Sequence, residues 1–255
     1  MERITCQINL HKGGRFFLLY GFGIDDIFID QYGNERDIEQ ALTQFLKENG
    51  YHRIAFIAPH KPLYFIDQES LSTTFPTDLR TNTTQQISFD FMKDLNGPLE
   101  NRFLLKVNHP DTPPNFMEMG DLHAIRIMDS LMRETGEINT AVIFLQAETT
   151  LRYFEDQRTL AGLIGSWLRL PSNNQNICFM VFSAHNSNDI SEVCKRIEIP
   201  EIRNMFARKK TNCLYQVIPI EGPGSDEIEK LIRMTFGEGE YHPSELDNLV
   251  KYITA

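Results

Sequence analysis

Apolar residues along this chain fall into short unbroken blocks that alternate with stretches of helical spacing. The first block, Arg15-Phe16-Phe17-Leu18-Leu19-Tyr20, suits a strand covered on both faces. From Asn34 onward Ile38, Ala41, Leu42, Phe45 and Leu46 recur at the spacing of one helix face, with Asn34 as N-cap and Gly50 as the stop. Arg53-Ile54-Ala55-Phe56-Ile57-Ala58 predicts a second buried strand, closed by Pro59 and followed by a short extended piece over 63–66. Leu122, Ile125, Met128, Leu131 and Met132 mark a helix that ends near Gly136, and Ala141-Val142-Ile143-Phe144-Leu145 is the next strand. Leu160, Leu163, Ile164, Trp167 and Leu168 make another helical stripe, with Glu155 and Asp156 at its positive end. Strands over 177–182 and 214–218 follow, the second after short helical pieces broken by Pro200.

Five apolar strands separated by helices predict an α/β fold, a three-layer parallel sheet with helices on both faces. Two helices close the chain. The first has Ser225 as cap and the stripe Ile228, Leu231, Ile232, and the second has a Ser244-x-x-Asp247 start and the stripe Leu246, Leu249, Val250, Ile253. The division expected is therefore an α/β domain over 1–222 and a helical lid segment, or its beginning, over 223–255. Residues 68 to about 116, rich in Thr, Asn, Asp and Pro, are read as an irregular insertion, since long surface excursions cost little in closure entropy.

Composition changes this picture in three places. Hydrophobic residues are 41% of the 255 and charged residues 24%, which is ordinary for a folded domain. The formal net charge of -10 opposes attraction to phosphate backbones, so a nucleic-acid partner is disfavoured despite the local run Arg208-Lys209-Lys210. No apolar run nears the roughly 20 residues that cross a bilayer, and Met1 to Gln7 lacks the apolar core of a signal peptide. The expectation is a soluble cytoplasmic protein with no membrane partner. Cys6, Cys178, Cys194 and Cys213 never form a CxxC pair, which leaves no zinc knuckle or thioredoxin-type motif.

The order of five strands and intervening helices, then Gly222-Pro223-Gly224-Ser225-Asp226-Glu227 leading into small helices, resembles the AAA+ ATPase family over most of the chain outside 68–116. Ala141 to Glu148 looks like that family's second nucleotide motif, an apolar strand ending in Asp-Glu, with the Glu kept as Glu148 and the Asp replaced by Gln146 or Ala147. Phe179 to Asn186 resembles the strand and polar tip of the first sensor, which assigns that position to Asn186. Ile199 to Arg208 resembles the region that carries arginine fingers, so Arg203 and Arg208 are finger candidates by position, against the simpler reading of solvated helix-surface charge.

The departure from the family lies after the first strand. A phosphate loop needs glycines that let backbone N–H groups face the phosphates, a Lys, and a Ser or Thr for Mg²⁺. The chain has Gly21-Phe22-Gly23-Ile24-Asp25-Asp26-Ile27-Phe28-Ile29-Asp30, with three carboxylates where cations are needed and no GxxxxGK[ST] anywhere. The expected function is thus that of a non-catalytic, pseudo-ATPase module of this type, acting in assembly, regulation or partner recognition. It would need no cofactor, with ATP and Mg²⁺ at most a weak ligand that is not hydrolysed. Gly21, Gly23, Glu148 and Asn186 are its degenerate site positions, and its partners are other proteins or copies of itself. The resemblance and the end of the chain at Ala255 together imply the N-terminal part of a longer AAA+ protein.

A second class of chemistry competes. Asp25, Asp26, Asp30 and Glu148 supply carboxylates for a metal-dependent phosphohydrolase or nuclease. Against it, Asp is favoured in turns and caps for local reasons, and no HxxxH pair joins the cluster. Ser183-x-His185 and Ser166 lack the GxSxG elbow of a hydrolase nucleophile, and Trp167 is read as a core or interface anchor.

Overall fold

The computed structural model describes residues 2–10, 14–25, 27–30, 32–59, 61–75, 121–154, 157–184, 202 and 215–236. In chain order these give α1 (Glu2–Thr5), β1 (Phe16–Tyr20), β2 (Phe28–Ile29), β3 (Glu35–Arg36), α2 (Ile38–Glu48), β4 (Tyr51–Ala58), β5 (Lys61–Tyr64) and α3 (Gln68–Thr74). There follow α4 (Asp121–Arg133), β6 (Asn139–Phe144), α5 (Ala147–Tyr153), α6 (Gln157–Trp167), β7 (Ile177–Val181), β8 (Tyr215–Pro219) and α7 (Ser225–Phe236). The fold is mixed α/β. Its six-stranded sheet has the order β5-β4-β6-β7-β1-β8, parallel throughout except for the antiparallel edge pair β4 and β5.

The unbroken apolar runs are explained by the two layers of helices. Phe16 and Leu18 of β1 face a core built with α4, α5 and α6, whereas Phe17 and Leu19 face one built with α1 and α2. Each successive side chain of the strand thus finds an apolar layer, as period-two geometry requires of a central parallel strand. Trp167 is fully buried in the first core and its indole N–H donates to Asp129 Oδ1 at 2.8 Å, so among the described residues it is a core anchor.

Three local expectations are adjusted. The cap of α2 is Asp37, in a reciprocal capping box with Gln40, because Asn34 is drawn into the turn between β2 and β3 by Asp30. The Gly224 carbonyl accepts from Glu227 and Ile228 N–H, which makes Ser225 the first helical residue rather than the cap. The start of the 68–116 stretch is ordered as α3, capped by the Asp67 side chain on Ser70 N–H. The rest of that stretch, the last helix over 244–255, and the residues Asp26, Asn186, Arg203 and Arg208 lie outside the described residues.

Candidate functional site at the C-terminal edge of the sheet

In an open parallel sheet, ligands bind beyond the carboxyl ends of strands where neighbouring connections leave toward opposite faces. Here the connection after β1 and that after β6 leave toward opposite helical layers, with β7 lying between the two strands. β1 leads to α2 in one helical layer, and the layer of α4, α5 and α6 covers the other face. The segments meeting there are Gly21–Asp25 after β1, Leu145–Glu148 after β6, Phe182–Ala184 after β7 and Ile220–Glu221 after β8.

The connection after β1 is closed upon itself. Phe22–Ile24 forms one turn of 3-10 helix, and the chain then enters the β2–β3 hairpin. Gly21 N–H donates to the Ala184 carbonyl at 2.8 Å, Gly23 N–H to the Ile220 carbonyl at 3.1 Å and Ile24 N–H to the Gly21 carbonyl at 3.3 Å. The glycines serve close packing. Gly21 has φ 124, and a Cβ there would collide with the Ile220 carbonyl oxygen, whereas one on Gly23 would collide with the Glu221 carbonyl oxygen.

A cation does stand beside this turn, and it comes from the start of the chain. The Arg3 guanidinium lies 4.4 Å from the centre of the Phe28 ring. It donates to the Ile27 carbonyl at 2.7 Å and the Glu221 carbonyl at 3.1 Å, and pairs with Glu227 of α7 at 2.8 Å. Reading the sequence overlooked Arg3, because nothing in Met1-Glu2-Arg3 links it to a loop some twenty residues on.

Asp30 and Glu148 stand in different surroundings. The Asp30 side chain is buried in the hairpin turn, accepting from Tyr32 and Asn34 backbone N–H at 2.8 Å each, from Asn34 Nδ2 at 2.9 Å and from Arg36 Nη2 at 3.1 Å. The Asn34 side-chain bond first, with those other bonds, holds its carboxyl down at about 2 against the opposing effect of burial. Glu148, in the first turn of α5, accepts from Ser183 N–H at 3.3 Å. Burial raises its pKa, the Asp25 carboxylate adds to the rise, and the bonds from its own and the Ser183 backbone oppose it. Gln146, just before α5, adopts left-handed φ 43, ψ 54, and its carbonyl accepts from Thr149 and Thr150 N–H.

The structure thus brings Gly21, Gly23, Asp25 and Glu148 to one sheet edge and keeps Asp30 in its own turn. Among the described residues no group of three or more His, Cys, Asp or Glu side chains is placed to hold a metal ion, and no helix is long and apolar enough to cross a membrane.

No protein-family model matches the chain, and no curated protein matches it. Among solved structures, it is similar to the Aeropyrum pernix ORC2 protein, in a structure described as ADPNP-ADP complexes. The identity is 12% and the TM-score 0.39, over 88% of this chain and 46% of that one, so this chain spans about half the length of that protein.

Proposed function

We propose that this chain is a non-catalytic AAA+-like domain that works in assembly, regulation or partner recognition, and that its first-strand connection has become a packing element. The observation that supports this reading is the closed turn at Gly21–Ile24. Of the backbone donors a phosphate would need, those of Gly21, Gly23 and Ile24 are engaged by protein carbonyls. The added carboxylate of Asp25 repels a triphosphate, and the Arg3 charge beside the turn is already paired with Glu227. The place of Glu148 after the third parallel strand of the chain agrees with the resemblance, yet its immediate charged neighbour is another carboxylate.

The same connection favours contact with protein. Phe22, Ile27 and Tyr32, on that connection and the hairpin it enters, are 66%, 45% and 79% exposed. Where such exposed apolar side chains join into one patch, they mark an association surface. The metal-dependent alternative fits less well, because Asp30 is fully occupied as a turn former.

Steady-state phosphate release from Mg²⁺-ATP tests the catalytic half of this reading. The expected result is a rate equal to buffer, unchanged by Glu148→Gln. A turnover that Glu148→Gln abolishes would overturn it. Light scattering of the native chain and a Phe22→Ser, Ile27→Ser, Tyr32→Ser variant tests the other half, with weaker self-association or partner capture expected for the variant.

A further inference from the structure

At the opposite end of the sheet, the N-terminal ends of β1, β4, β6 and β7 surround a cavity of about 430 Å³. Its wall is polar. Arg15 precedes β1, Tyr51 and Asn139 begin β4 and β6, and Asn49, Ser172 and Gln175 complete the rim. Most side chains that line it are hydrogen-bonding groups without charge, and among the described residues Arg15 is the one ionised residue on the wall.

The Arg15 guanidinium is half-buried and touches only neutral acceptors. Nη1 donates to Asn174 Oδ1 at 2.7 Å, and Nη2 is shared among the Leu170, Pro171 and Asn174 carbonyls at 3.3, 3.1 and 3.1 Å. Among the described residues no carboxylate pairs with it. Burial pulls its pKa down, and the other ionisable group that acts on it is Tyr51, whose own hydroxyl burial pushes up to about 12 and keeps neutral. The carbonyls that follow α6 supply some negative potential, but a helix end offers only about half an elementary charge. Of the five guanidinium N–H groups, Nε–H and one on Nη1 remain uncommitted.

A half-buried cation without a counter-charge is costly to keep, and a bound anion relieves that cost. We propose that this cavity is a binding site for a small organic carboxylate, held by the Arg15 guanidinium and oriented by the amides and hydroxyls of its rim. The volume falls within the range of small-molecule sites. One cation matches one carboxylate, whereas a phosphate dianion would leave a charge uncompensated in the same wall. Ser172 and Gln175 are exposed and their side chains form no hydrogen bond among the described residues, the Gln175 carbonyl alone accepting from the Tyr51 hydroxyl at 3.2 Å, so both side chains are available to a ligand. Asn174 and Asn176 are not. They hold the carbonyls of Met132 and Glu134 at the end of α4 and so fix the floor of the cavity.

The test uses acetate and inorganic phosphate as probes, with chloride at equal ionic strength as reference, on the whole chain. The ¹⁵N–¹H resonance of Arg15 Nε is followed alongside the melting temperature. Acetate is expected to move that resonance saturably and to raise Tm beyond chloride. Because Arg15 also ties β1 to residues 170–174, its replacement would weaken the fold, and Ser172→Asp is the informative variant. It places a carboxylate on the rim, so it is expected to raise Tm without ligand and to lower acetate affinity about tenfold or more. Acetate acting no differently from chloride, or acting on Ser172→Asp as on the native chain, would overturn the site. Phosphate binding more tightly than acetate would overturn the carboxylate assignment.

Discussion

Arg3 Nε stands 2.8 Å from a carboxylate oxygen of Glu227, and this pair ties α1 to α7 across the connection that follows β1. The Glu227 carboxylate also accepts from Ile29 N–H at 3.3 Å, so one acidic side chain holds the hairpin and the N-terminal helix at once. Both side chains are largely buried, at 9% and 17% exposure, which makes the pair sensitive to loss of either partner. Arg3→Ala or Glu227→Ala is expected to cost about 3 kcal/mol, because each leaves an uncompensated charge. Urea unfolding of the two single variants and the double variant checks this. Additive losses would show that the two residues act independently.

The glycine pattern of the first connection gives a contrasting pair. Gly23→Ala places a methyl group against the Glu221 carbonyl oxygen, and it is expected to lower Tm sharply or to prevent folding. Gly162→Ala, in α6 with open space around it, is expected to stabilise by about 0.5–1 kcal/mol from helix propensity. Comparable Tm values for the two variants would mean that the turn is not packed against β8.

Asp30 makes a pH-dependent contribution whose sign is fixed by its lowered pKa. With a folded value of about 2 and an ordinary value of 3.8, the folded state favours the ionised form. The stabilisation is complete above the ordinary value and disappears as pH falls through about 2. Asp30→Asn is therefore expected to lower stability at pH 7 and to flatten the loss below pH 4. Carboxyl chemical shifts that place the Asp30 midpoint near 4 would contradict this.

Glu148 has the opposite sign. Its raised pKa means that the folded state favours the protonated form, so its ionisation opposes folding once pH exceeds the ordinary carboxylate value. Glu148→Gln keeps an acceptor for Ser183 N–H and removes the charge facing Asp25. A higher Tm at neutral pH, with a smaller gain at pH 4, is expected by calorimetry.

The central strands were legible because a parallel strand buried on both faces has no choice but to be apolar at every position. Phe16–Tyr20, Ile177–Val181 and Tyr215–Pro219 lie within one residue of the runs that predict them. The helix α3 was hidden, since Gln-Glu-Ser-Leu-Ser-Thr-Thr carries no stripe. It is held by polar contacts from outside, Asp67 on Ser70 and Lys47 on Asp67 and Glu69. The β2–β3 hairpin was likewise invisible, because each strand is two residues long and its register is set by the Asp30 bonds rather than by alternation. At the candidate site, the lack of a GxxxxGK[ST] loop was readable in the sequence. The contacts made by the turn after β1 were not, because Arg3, Ile220 and Glu221 reach it only through the tertiary fold.

Calorimetric titration of the whole chain with ATP and with ADP, each with and without Mg²⁺, tests the closed connection at Gly21–Ile24 most directly. With those backbone donors engaged and Arg3 paired, no saturable heat is expected up to millimolar nucleotide. Micromolar binding that is lost on Gly21→Ala or Glu148→Gln in a variant that still melts cooperatively would contradict the closed connection, and with it the reading of this chain as a domain that has given up nucleotide.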